Sequence, residues 1–457
     1  TKSISSFENL DASAVSYNLT VIDNIDSTSV VTGSGNDTIS IANATGTITV
    51  NTGNGTNSVT GTGARVVAIT GGTGDDTIVL AAGSTGTVNT GNGTNSVNAN
   101  GSKLNITGGT GADTVTNLGG AGTVNGGEGA DSITATGAAV TIGGGDGADS
   151  IVLASLANTV DGGGGAVTIT AGTGVDSLAG GADNDTFKFA SANLTATDSI
   201  DGGTGTNTIE ITDAVAVVDA AFTKVTAGTV QTLTSSAGVA QDFTLDSKAL
   251  AAGITTVTGS TAADKVTVTA GYTGALTIAL GASAGNDSVV GGAAGAGLTI
   301  TGTLGGVTTG DAIAGATASA DTLTLSVVGA ATSTLTDVTN VDTVKLVDGD
   351  TAASVLGQVV LVDANATYTN ATTYQTITVD AGALVATGAV AADTTSIDAS
   401  AELDGKVVVI GGAGADTIIG SASANFGDNL SGGVGNDTFK FASANLTATD
   451  SIDGGTG

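Results

Sequence analysis

Seven glycine-rich segments of this chain end on an acid or its amide at one fixed place: Asp37, Asn57, Asp76, Asn95, Asp113, Asp131 and Asp149. The segments run from TGSGNDTIS at Thr32 through GGTGDDTIV at Gly71 to GGDGADSIV at Gly144. Tight glycine turns expose carbonyl oxygens, and an acid beside them adds carboxylate oxygens. A hard cation such as calcium takes six to eight such oxygens at about 2.3–2.6 Å. The same pattern returns at Asp176, Asp185, Asp416 and Asp437, giving eleven candidate ligand positions. Gly-Asp and Gly-Asn pairs also mark ordinary turns. Turns alone, however, do not require acid or amide at the same place in every repeat.

The seven positions are 20, 19, 19, 18, 18 and 18 residues apart, the length of one coil of a solenoid. Two residues after each, an apolar ladder runs Ile39, Val59, Ile78, Val97, Val115, Ile133, Ile151. A second ladder precedes each glycine segment: Val50, Ile69, Val88, Ile106, Val124, Ile142. Two inward rungs per coil, each flanked by small or polar neighbours, predict two short strands per coil with glycines at the corners. Stacking at about 4.8 Å brings successive corners together, so that one ion fits between Asp113 and Asp131. The opposite corner is looser, as in AAGSTG from Ala81, which places the expected metal ladder along one edge. The fold class is therefore all-β: a parallel β-solenoid or β-roll with calcium at glycine-rich corners, followed by further β-rich modules.

This pattern resembles the RTX repeats, GGxGxDxUx with U large and apolar, of exported bacterial proteins. The resemblance covers about 150 residues well, from Gly33 to Asp185, and returns at Gly411–Asp416 and Gly432–Asp437. It implies calcium-filled parallel β-rolls. The spacing departs from the family's nine residues, and Asn57 and Asn95 stand in place of Asp, which implies weaker ion binding at those two corners. Single-edged ladders of such coils also look like domains of giant RTX adhesins, including ice-binding ones. The residue before each ligand position runs Asn, Thr, Asp, Thr, Ala, Ala, Ala, so a flat Thr/Asn array for ice is not expected.

Composition narrows the function classes. Among 457 residues there are 74 Gly and no Pro, Cys, Met, Trp or His. The lack of Pro suits continuous ladders, where every N–H is needed. Zero Cys excludes disulfides, leaving metal ions as staples. With 42 acidic against 10 basic side chains the formal charge is −32, which calls for a cation partner. The basic residues are scattered singly, so no stripe exists to neutralise phosphates and nucleic acid is not an expected partner. No apolar run reaches the roughly 20 residues that span a bilayer. Without His or Cys, and with Ser and Thr lacking a base, no catalytic constellation is apparent, and the chain is read as no enzyme. Its start at Thr1 reads as a piece of a longer mature protein.

Residues 1–205 read as the RTX-like solenoid, 206–400 as a Thr/Val/Ala-rich β module, and 401–457 as a second short RTX segment. In the middle module the regular corners fade, with Asp287 and Asp321 as isolated candidates. The segment NDTFKFASANLTATDSIDGGTG occurs twice, at Asn184–Gly205 and Asn436–Gly457. Phe187 and Phe189 in it, expected to alternate inward and outward, suggest a bulky layer capping a solenoid end. The whole is similar to surface-layer proteins and large adhesins exported by type I secretion in Gram-negative bacteria. The expectation is an extracellular, calcium-dependent structural protein of the cell surface that self-associates into a lattice or fibre. A cell-surface glycan or lipopolysaccharide is a further expected partner. The alternatives are a segment of a large adhesin, or a calcium-binding carrier region of a type I secreted toxin or hydrolase.

Overall fold

The computed structural model describes the chain apart from residues 1, 24–26, 43–45, 138, 155, 237, 282–285, 293–296, 308–309, 318, 350–355, 364, 366–367, 371–372, 385–393 and 424–425. Alternating Thr/Ser with Ile/Val produces strands of two to eight residues, and nearly all pair in parallel with the strand one coil before and after. The chain is a parallel β-solenoid, divided into two units: residues 1–211 with 220–231, and residues 212–219 with 232–457.

In the first unit each coil contributes one strand to each of two sheets, one of them eleven-stranded. The first apolar ladder stacks in exact register in one sheet, Val115 on Ile133 and Ile133 on Ile151. The second stacks in the other, Val88 on Ile106 and Ile106 on Val124. All of these side chains are buried. A third row, Leu80, Ala99, Leu118, Ala135 and Leu153, closes the side toward the loose corner. Each large buried rung contributes about 1.5–3 kcal/mol. Each strand inside a sheet lies between two others, so a proline there would leave a ladder bond unmade.

The second unit repeats this plan with wider coils. One sheet runs through Thr232–Ser235, Thr256–Thr258, Leu276–Ala279, Leu298–Thr303 and Thr322–Val327 to Ser451–Asp453. Two five-stranded sheets supply most of its other strands, one from Asp242–Leu245 to Val338–Thr339, the other from Ala331–Thr334 to Thr438–Lys440. The longer coils hold extra pieces, such as the helix Ser247–Ala252 and the buried Tyr272, whose hydroxyl donates to Ile254 O. Regularity in the β module thus survives the loss of the glycine period.

The repeated segment corrects two expectations. Its first copy is an interior coil: Phe187 sits between Ile169 and Ile209 in continuous pairing, so it caps nothing. Phe187 and Phe189 both point inward and are fully buried, because residues two apart on a strand share a face. In the second copy Phe439 stacks on Ile418 and is half-buried.

Candidate metal centre

Each corner acid or amide stands immediately before a strand, where its own N–H points at the next coil but meets no backbone carbonyl. The side chain of the next coil supplies the acceptor. Leu19 N–H donates to Asp37 Oδ1 (2.7 Å), Asp37 to Asn57 (2.9 Å), Asn57 to Asp76 (2.9 Å) and Asp76 to Asn95 (2.9 Å). The series continues from Asn95 to Asp113 (2.7 Å), Asp113 to Asp131 (2.7 Å) and Asp131 to Asp149 (2.8 Å). Val167 interrupts it, and its N–H donates to Asp185 Oδ1 (2.9 Å). These side chains are at most 4% exposed. The acids therefore point into the coil, and one oxygen of each is committed to the backbone.

The structure brings nine of the eleven predicted positions into the first unit, eight of them on this edge. Asp176 lies on the other edge, where Asn158 N–H donates to Asp176 (2.8 Å) and Asp176 N–H to Asp198 (2.9 Å). The expected single edge is thus corrected: Asn158, Val167, Asp176 and Asp185 follow one another at nine residues, which alternates the corners. In the second unit Asp416 and Asp437 are linked the same way, Asp416 N–H to Asp437 Oδ1 at 2.9 Å. The ladder also runs where sequence reading found no regular corners: Gln241 to Asp264, Asp264 to Asp287 and Asp287 to Asp311 on one edge, Leu298 to Asp321 and Asp321 to Asp342 on another. The usable signal was an acid followed by a small or polar residue and then Val, Ile or Leu. Glycine was a poorer guide.

The second carboxylate oxygen is the chemically open one. Oδ2 of Asp37, Asp76, Asp113, Asp131, Asp149, Asp185 and Asp437 is buried with no hydrogen-bond partner. Except at Asp37, where Thr32 stands in that place, it lies beside the glycine five residues earlier, and at Asp76, Asp113, Asp131 and Asp149 a carbonyl of the next coil closes on the same space. A Cβ added to Gly126 would lie 2.2 Å from Asp131 Oδ2 and 2.4 Å from Gly144 O; for Gly108 the distances are 2.3 Å to Asp113 Oδ2 and 2.0 Å to Gly126 O. The pairs Gly71–Asp76 and Gly144–Asp149 repeat this arrangement. Two acceptor oxygens converge at each, with no donor between them. Asn207 shows what such a place needs: its amide Nδ2 donates to Thr229 O at 2.9 Å beside Gly202. At the Asp corners a cation or a proton must take the role of that N–H.

The balance of charge points the same way. Among the described residues sixteen carboxylates are buried but only one basic side chain, Arg65. Arg65 pairs with Asp23 at 3.1 Å, and its guanidinium also donates to Ser27 O (2.8 Å), an internal cation spanning coils. Burial pushes Asp113, Asp149 and Asp185 up to about 6, and Asp287 likewise. Burial also raises Asp76, Asp131, Asp176 and Asp321. Hard oxygen donors of carboxylate and carbonyl type are what calcium takes, so the residues present fit that ion. Asp363, Glu402 and Asp404 form a separate acidic group, in which Glu402 accepts Gly405 N–H at 3.0 Å.

Among the described residues no helix is long and apolar enough to cross a membrane. Comparison with known protein families and with curated proteins gives no match for the chain.

Proposed function

We propose that this chain is a calcium-dependent structural protein of the cell exterior, a self-assembling subunit of surface-layer type rather than an enzyme. The observation that carries the reading is the set of buried Asp Oδ2 atoms facing carbonyl oxygens with no donor. Calcium at the millimolar levels found outside cells satisfies such sites, where extracellular modules bind at about 10⁻⁴–10⁻³ M. Asp113, Asp131 and Asp149, with Asp76, Asp185 and Asp437, would supply carboxylate oxygen to the ions; Asp416, whose Oδ2 already accepts Gly412 N–H at 2.9 Å, would not. The ion supplies positive charge between coils; the chain's own residues supply the backbone ladder that sets the spacing.

Assembly is supported by the distribution of the remaining acids. Glu128 and Asp146 are exposed neighbours on adjacent strands, so like charges stand side by side on the outer surface. Divalent cations can bridge such groups between subunits, whereas sodium only screens them. Light scattering and negative-stain microscopy across a calcium titration test this. Ordered sheets or fibres should form with millimolar calcium and not at equal ionic strength of sodium chloride, and Glu128→Gln with Asp146→Asn should weaken assembly without unfolding. A chain that stays monomeric well above the calcium concentration that folds it is not a lattice subunit.

A further inference from the structure

We propose that the pair of residues five apart at each corner decides whether that coil takes a cation: Gly with Asp opens a cradle for the ion, and Thr with Asn closes it. The inference rests on the calcium reading above and assigns it to particular coils. At the Gly108–Asp113 corner the missing Cβ leaves Asp113 Oδ2 and Gly126 O converging on one space. One coil earlier the pair is Thr90–Asn95: the carbonyl has gained a donor, and an amide N–H stands where the second carboxylate oxygen would be. Thr90 Oγ1 donates to Gly108 O at 2.9 Å, the carbonyl equivalent to Gly126 O at the next corner. Asn95 Nδ2 turns to Gly93 O (3.1 Å) and Gly91 O (3.4 Å). The backbones of the two coils are in register through Gly91 and Gly109, and Oδ1 of Asn95 and of Asp113 makes the same bond to the preceding coil. The other differences between the two corners, Asn92 against Thr110 and Thr94 against Ala112, are exposed.

Thr52–Asn57 repeats the amide half of this closure, with Asn57 Nδ2 donating to Gly55 O at 2.9 Å, while Thr52 Oγ1 reaches Thr70 O at 3.5 Å. The amide replaces the positive charge with two N–H donors, at no cost in buried charge. Closed coils therefore fold without metal, and stretches of open ones, such as Gly108–Asp113 followed by Gly126–Asp131, are where metal is required. The weaker ion binding expected at Asn57 and Asn95 becomes none.

The test is the number of calcium ions bound per chain, measured by equilibrium dialysis at about 2 mM calcium chloride, a level above the ordinary dissociation constants of extracellular sites, together with melting in excess chelator. Gly108→Thr with Asp113→Asn should lose at least one ion. Thr90→Gly with Asn95→Asp should gain one and melt lower in chelator. Asp113→Asn alone, which keeps Gly108 and adds only the amide, guards against a failure to fold and should also lose an ion. Unchanged counts in these variants, beside a wild type that binds calcium, overturn the pair rule and leave the calcium reading standing. A wild type that binds no calcium overturns the calcium reading itself.

Discussion

The backbone N–H of Asp113 donates to Oδ1 of Asp131, 2.7 Å away and one coil further along, while Oδ2 of the same Asp131 is buried without a partner. One side chain thus has two separable roles: a backbone acceptor that any coil needs and an oxygen that demands a positive partner.

Separating the roles is a matter of two substitutions. Asp131→Ala orphans a buried N–H and should cost about 1–3 kcal/mol with or without calcium. Asp131→Asn keeps the Oδ1 acceptor and should cost little in chelator. Equal destabilisation by both in chemical denaturation would contradict the division.

The metal-free protein should respond to pH in an unusual direction. Asp113, Asp149 and Asp185 stand at about 6 in the folded state, raised by burial from 3.8. The folded chain holds these protons more tightly than the unfolded one, so their contribution is full below about pH 4 and is lost as pH rises through about 6. Melting temperature without calcium should fall from pH 4 to 7. With calcium the trend weakens or reverses, because protons compete for the same oxygens. A metal-free melting temperature that is flat or rises over this range refutes the assignment.

Strand phase is tested at neighbouring residues. Ile133 is buried in the ladder and Thr134 is half-buried on the outer face. Ile133→Asp should cost about 3–5 kcal/mol from lost packing and an unpaired buried charge, and Thr134→Asp about 0.5 kcal/mol or less. Equal tolerance in a thermal melt would place the strand in the other phase.

Arg65 offers an internal comparison for cation demand. Arg65→Met strands Asp23 in the core and should cost about 3–5 kcal/mol, while adding Asp23→Asn should restore much of that. If the second change restores nothing, the guanidinium acts by packing rather than by charge.

Much of this architecture was legible because solenoids repeat. The register of Val115 on Ile133 follows from spacing alone, as does the burial of both ladders. The second edge was not legible from glycines, since Asp176 and Asp198 sit in corners of different length, and what they share is the bond to the preceding coil. Corners around Asp264 and Asp311 were missed for the same reason: widened coils need no glycine period once an acid precedes the strand. Nor does a sequence show that an acid lies inside its coil. That followed only from the two or so per cent exposure of Asp131 and Asp149.

The most direct test of the account is the thermal melt of the intact chain at pH 7.5, followed by the β-sheet circular dichroism signal, with millimolar calcium and after complete removal of divalent ions. Several linked sites, each adding about 0.4–1.4 kcal/mol at millimolar calcium, predict a melting temperature lower by about 10 °C without metal, restored by adding calcium back. An unchanged signal and melting temperature in the metal-free protein would show that the buried carboxylates need no cation, and the account would fail.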